Sequence, residues 1–127
     1  MVLLCDCRES KVITLLQARK NIEIEVQTLY TGDFITNNVV VERKTLDDLS
    51  ASIVDGRYSE QKKRLVQCVQ SGYCVVLLVE GVSKGSRGVP YGTLLSSIAS
   101  CICQGISVFR SLSIEETCAM LEKLDAK

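Results

Sequence analysis

The sequence predicts an α/β domain built on a mixed central sheet flanked by helices. Three observations carry this. Segments of period-two or unbroken apolar character alternate along the chain with segments of helical spacing. Residues 73–79 are almost purely apolar, as in a strand at a sheet centre. Asn37-Asn38 lies between two apolar runs, and asparagine tolerates positive φ, so a tight antiparallel hairpin is expected there.

Val2 to Cys5 is a short apolar run that suits a strand buried on both faces, with Asp6 and Glu9 at its exit. From Ser10 to Lys20, residues Val12, Ile13, Leu15, Leu16 and Arg19 recur at helical spacing; Ser10 is placed to cap this helix and Asn21 to close it. Ile22 to Tyr30 alternates apolar and polar, a strand with one wet face. The hairpin of Gly32 to Lys44 follows. Thr45 begins a helix as N-cap with Asp48 at its third position, and Gly56 interrupts it. Arg57 to Ser71 carries an apolar stripe of Tyr58, Leu65, Cys68 and Val69 and is the main basic element, with Arg57, Lys62, Lys63 and Arg64. Gly72 ends it, the central strand follows, and Glu80 closes that strand. Gly81 to Tyr91, rich in glycine and with the sole proline, Lys84 and Arg87, reads as a loop. Leu94, Leu95, Ile98, Cys101 and Ile102 mark a helix over 93–103, and 106–109 a last strand. Ser113-x-x-Glu116 is a capping box for a terminal helix with Met120, Leu121 and Leu124 inward.

A chain of 127 residues is the size of one domain with a real core. Fifteen basic and fifteen acidic residues balance, so affinity for nucleic acid has to come from local clusters. Seven cysteines without a Cys-x-x-Cys pair fit neither a disulfide framework nor a zinc site, and Cys68, Cys74, Cys101 and Cys118 fall within apolar patterns as small hydrophobes. Neither a signal peptide nor a membrane-spanning run is evident, which suggests a soluble intracellular protein without a membrane partner.

The hairpin also sets out a chemistry. A two-residue loop at Asn37-Asn38 pairs Thr36 with Val39, Ile35 with Val40 and Phe34 with Val41, and so puts Asp33 opposite Glu42. Opposed like charges destabilise a strand pair, and a divalent cation between them is the simplest compensation. Lys44 shares the face of Glu42, whereas Arg43 points the other way, to anchor the strand through an ion pair or to offer its backbone carbonyl to the metal. Two acids and a lysine suit phosphodiester hydrolysis. Each has a plainer reading: Asp33 as a turn residue, Asp48 as a cap, Asp6 and Glu9 as partners of Arg8, Arg57 and Gln61 as solvated helix surface.

Gly32-Asp33, then Val41-Glu42-Arg43-Lys44 with Asp48 beyond, together with Asp6-Cys7-Arg8-Glu9, resemble the motifs of the XPF family of structure-specific endonucleases. Asp47-Asp48-Leu49, Ser52-Ile53, Asp55-Gly56-Arg57-Tyr58 and Glu60-Gln61-Lys62 are closest to its Mus-type branch, and the likeness fades after about Gly81. The resemblance implies a restriction-endonuclease-like fold of the PD-(D/E)xK type. It implies catalytic roles for Asp6, Glu9, Asp33, Glu42, Lys44 and Asp48, with Mg²⁺, or Mn²⁺ in its place, on Asp33, Glu42, the Arg43 carbonyl and Glu9. Arg43, Arg57, Gln61, Lys62 and Arg64 become DNA-binding or site-supporting residues. The implied substrates are 3′ flaps, forks and branched junctions, in the nucleus or wherever DNA is replicated or repaired. A non-catalytic DNA-binding or scaffold subunit and a Holliday-junction resolvase or nickase are the alternatives. Family members carry helix-hairpin-helix modules that are not found here. The apolar C-terminal third, with Leu94, Leu95, Ile98, Ile102, Leu112 and Leu121 among its residues, is expected to form a homodimer, or a heterodimer with a related subunit.

Overall fold

The hairpin is present in the expected register: Phe34 pairs with Val41, Ile35 with Val40 and Thr36 with Val39. Of the two loop residues only Asn37 adopts the left-handed conformation, at φ 52°. The computed structural model describes residues 2–82 and 88–127. In chain order they form β1 (Leu3–Asp6), α1 (Ser10–Gln17), β2 (Ile24–Gln27), β3 (Phe34–Thr36), β4 (Val39–Thr45), α2 (Leu46–Val54), α3 (Tyr58–Gln70), β5 (Cys74–Glu80), α4 (Tyr91–Cys103), β6 (Ser107–Ser111) and α5 (Ile114–Asp125). The strands make one sheet of order β2-β1-β3-β4-β5-β6. It is mixed: β3 runs antiparallel to β1 and β4, and the other pairs are parallel.

Alternation along each strand divides the apolar residues between two cores. On one face Val40, Val75, Leu77 and Val79 meet Leu46, Leu49, Leu65, Leu94 and Ile98 of α2, α3 and α4. On the other, Leu3, Cys5, Phe34, Val41 and Leu78 meet Val12, Leu16, Cys118 and Leu121 of α1 and α5. The first set of helices lies over β4, β5 and β6, so the adjoining part of that face, over β1 and β3, is left more open, with Leu4 and Ile35 half-buried.

Several expectations are corrected. Ser10 does not cap α1: it is the first helical residue, Glu9 stands at the N-cap without a capping side-chain bond, and the helix ends at Gln17 rather than Lys20. The strand expected over 22–30 is ordered only from Ile24 to Gln27 and lies at the sheet edge, mostly exposed. Cys74 is exposed where burial was expected, because it starts β5 at the rim; Cys5, Cys101 and Cys118 are buried, and all seven thiols are free. The loop over 81–91 falls partly outside the described residues, and Lys84 and Arg87 with it. Leu121 and Leu94 are fully buried, so they complete the monomer core, whereas Leu95, Ile102 and Leu112 remain exposed. The box at Thr45/Asp48 is complete. At the start of α5 only half the expected box forms: Ser113 accepts the Glu116 N–H, while the Glu116 carboxylate turns to the Leu112 N–H. Among the described residues no helix is long and apolar enough to cross a membrane.

Candidate active site

Gly32, at φ 78°, turns the chain into β3 so closely that a Cβ there would lie 2.5 Å from a methyl of Val40. The glycine before Asp33 is therefore a steric requirement. The ladder stops at Phe34–Val41, one pair short of Asp33 and Glu42. Beyond it the Asp33 N–H donates to the Val41 carbonyl and the Asp33 carboxylate accepts the Arg43 N–H at 2.8 Å. The two acids meet without being a ladder pair. Burial and then the neighbouring Glu42 push the Asp33 carboxyl up to about 7. Glu42 is raised too, chiefly by burial, against the pull of Lys44.

These residues line a cavity of about 340 Å³ together with Asp6, Arg8, Glu9, Arg43, Lys44, Gln61 and Arg64. Glu9 reaches it from the start of α1; burial first, then Asp33, raise its carboxyl to about 7 although Arg43 opposes the shift. Lys44 leaves β4 on the opposite side from Arg43, and its ammonium donates to Ser52 Oγ of α2 at 3.1 Å. Arg43 crosses to the other face, where it grips both oxygens of Glu80 at 2.9 and 2.6 Å and donates to Glu9 at 3.0 Å. These bonds tie β4 to the end of β5 and to the start of α1.

Other expected residues are placed differently. Asp6 is buried at the cavity floor, and its carboxylate is already engaged: it accepts from Arg8 Nε at 2.7 Å and from the Leu29 N–H at 2.9 Å. The Arg8 bond, first among its causes, lowers its pKa against the effect of burial. Asp48 is not among the cavity residues; its carboxylate accepts the Thr45 N–H in the helix cap. Arg57 likewise stands apart, exposed and paired with Asp55 at 3.0 Å. Arg64 and Lys62 do not form one basic patch. Arg64 lines the acid cavity, whereas Lys62 turns towards α4, donates to Ser100 and lies 6.0 Å from the Tyr58 ring centre. Gln61 does reach the cavity, and its carbonyl oxygen is buried without a protein partner.

The sequence reading missed the partner of Arg43. Glu80 also accepts the Thr117 hydroxyl at 2.6 Å, and Thr117 in turn contacts Ser111. A signal was available, since a carboxylate at the end of an all-apolar buried strand requires a partner. Nothing local in the sequence marks Thr117.

Among the described residues no group of three or more His, Cys, Asp or Glu is gathered as a metal cluster. The donors present fit a hard divalent ion of another kind, one that takes a few protein oxygens and keeps several waters. Two mutually repelling carboxylates and an unpartnered amide oxygen around a space large enough for an ion and its waters form such a set.

The family model for the ERCC4 domain matches residues 5–124. The chain belongs to the ERCC4 family. This ERCC4 domain is 38% identical over 94 residues to the mouse protein Structure-specific endonuclease subunit MUS81, an alignment that covers 73% of the chain and 17% of that relative. The chain thus spans about a sixth of that curated relative's length. Its fold is that of the XPF nuclease domain, restriction-endonuclease-like. XPF from Aeropyrum pernix superposes with a TM-score of 0.84 at 27% identity, covering 99% of this chain and 60% of that one. The same archaeal protein in complex with DNA matches with a TM-score of 0.75 at 27% identity, over 98% of this chain and 63% of that one.

Proposed function

We propose that this ERCC4 domain is the catalytic unit of a divalent-metal-dependent DNA endonuclease that hydrolyses phosphodiester bonds near 3′ flaps, forks or branched junctions. The observation that carries the proposal is the pair Asp33 and Glu42, half-buried beside each other in the cavity with both carboxyls pushed up, next to Lys44. Relatives named as structure-specific endonucleases and a neighbour solved with DNA support it.

In this reading Asp33 and Glu42, with the Arg43 carbonyl and Glu9 at the margin, hold Mg²⁺, or Mn²⁺ in its place. The ion supplies Lewis-acid polarisation of the phosphate and makes water acidic enough to attack near neutral pH. The chain's own residues do the remainder. Lys44 meets negative charge as it develops on the phosphate, and Ser52 holds its ammonium in place to do so. Gln61 offers its unpartnered oxygen to a water, and Arg64 at the cavity rim takes a backbone phosphate. Asp6, through Arg8 and Leu29, holds the 29–31 loop against the site, and Asp48 holds the start of α2 beyond Lys44. Such work belongs in the nucleus, or wherever DNA is replicated or repaired. The retained Asp33, Glu42 and Lys44 favour this over a non-catalytic scaffold subunit. Cleavage mapped on 3′-flap, fork, four-way and plain duplex DNA tests the proposal. Metal-dependent incision at the branch, abolished by chelator, is expected; a four-way substrate cut best points to a resolvase, and no incision of any substrate refutes catalysis.

A partner is proposed at α4, where Leu95 and Ile102 lie seven residues apart on one stripe and remain exposed, with Leu112 nearby in sequence to α5. A homodimer, or a heterodimer with a related subunit, would cover them. Leu95→Glu is expected to convert a sedimenting dimer to monomer with the fold intact; a wild-type monomer at micromolar concentration excludes the homodimer.

A further inference from the structure

A second cavity, of about 460 Å³, opens on the part of the sheet that α2, α3 and α4 leave bare. Its floor is one row of side chains across three strands: Leu4 pairs with Ile35, and Ile35 with Val40. Tyr73 walls it at the far end, held to the close of α3 by its N–H bond to the Cys68 carbonyl at 3.0 Å. Tyr30, which is 92% exposed, stands at the end nearest the acids. Leu29, Tyr30 and Thr31 line this groove and the acid cavity alike, so the two adjoin at this segment.

The two halves differ in charge. The acid cavity carries Arg8, Lys44 and Arg64, which suit phosphates, whereas the lining of the groove holds no charged residue. A neutral floor between Tyr30 and Tyr73, with Thr28, Thr31 and Gln27 in its lining and the Gln27 amide nitrogen held by Glu25 at 2.6 Å, suits the flat face of a nucleobase. A paired base hides its face in the duplex stack; an unpaired one does not.

We infer that the groove between Tyr30 and Tyr73 takes unpaired bases of the strand that leads from the acid cavity. The inference rests on the nuclease reading above and sharpens it, because it assigns the single-stranded arm of the substrate to a surface of this domain. Asp6 serves the groove as well, since its buried carboxylate, by holding the Leu29 N–H, positions Tyr30 at the junction of groove and cavity.

The test is binding, in chelator, to a duplex with a single-stranded 3′ thymidine tail and to a blunt duplex of the same paired length. Tyr30→Ala and Tyr73→Ala are each expected to weaken binding of the tailed DNA by about tenfold, with the blunt duplex changed less than about twofold, and Tyr→Phe variants are expected to restore tail binding. Both rings are accessible enough for truncation to spare the core. Light-induced crosslinking from 5-iodouracil is expected from the tail to the two tyrosines. Equal loss on both DNAs, no loss on either, or a changed sedimentation coefficient without any DNA effect, as a protein partner or second copy in the groove would produce, overturns the inference. Cleavage of the tailed DNA is followed in parallel with Mg²⁺. Cleavage without discrimination by the tyrosine variants sinks the groove alone, whereas tail-selective binding without cleavage sinks the nuclease reading alone.

Discussion

At the end of β4 the two faces of the sheet treat buried acids in opposite ways. On the α1/α5 face, burial works against the ionised form of Glu80, but the fork of Arg43 and the Thr117 hydroxyl outweigh it and hold the carboxyl below its ordinary range. On the other face Asp33 and Glu42 lie half-buried beside each other, and both are pushed up. The first arrangement gives Glu80 a bidentate cation and a hydroxyl donor and ties the strands together; the second leaves negative potential unspent. Groups held in such an unfavourable state at the mouth of a cavity point to function, and fully partnered ones to structure.

The largest effect that separates the two is on catalysis. Glu42→Gln is expected to lower metal-dependent cleavage by on the order of 10³-fold with the melting temperature held or raised, since the variant removes a repelled charge and keeps its shape. Full activity in that variant breaks the comparison, for then the unpartnered acids have no role.

Glu80→Ala should act in the reverse sense. It strands Arg43 in a site where its side chain is only 19% exposed, so the loss of stability is about 3 kcal/mol, or a Tm lower by roughly 10 °C for a chain of this size. Affinity for metal is expected to change far less. An unchanged melt would show that Glu9 alone can hold Arg43 and that the fork is dispensable.

The smallest effect is on pH dependence. Asp33 and Glu9 titrate near 7 in the fold, whereas unfolded carboxyls titrate near about 4, so between these values the folded protein holds protons that the unfolded chain releases. Stability of the metal-free protein therefore falls as pH rises from about 4 to about 7 and levels off above. Thermal melts in chelator should give a higher Tm at pH 5.5 than at pH 8. Asp33→Asn should narrow that gap and raise the Tm at pH 8 by about 4 °C for each kcal/mol relieved. A lower Tm for Asp33→Asn at pH 8 would mean that the bond to the Arg43 N–H matters more than the repulsion.

Much of this contrast is legible in the sequence. A two-residue loop leaves one register, and that register delivers Asp33 to Glu42 and separates Lys44 from Arg43. Thr45 and Asp48 announce the start of α2 by a rule that acts within four residues. What local rules could not supply was the partner of each charge. Arg43 finds Glu80 thirty-seven positions away, and Glu80 finds Thr117 another thirty-seven further on. Lys62 and Arg64 look like one cluster in sequence, yet two residues on a helix face nearly opposite ways, Arg64 towards the acid cavity and Lys62 towards α4. The order of strands, which sets all of these meetings, emerges only from packing.

The strand order has one more consequence, for the behaviour of the protein among its own copies. A sheet of order β2-β1-β3-β4-β5-β6 has two free rims, each a row of backbone groups able to recruit a foreign strand. β2 is only four residues long, and Glu25 within it sets like charge against like if two such rims approach. β6 is five residues long, and Arg110 lies folded across to the Gly81 carbonyl. Brevity and charge at both rims disfavour the pairing of one sheet with another through their backbones.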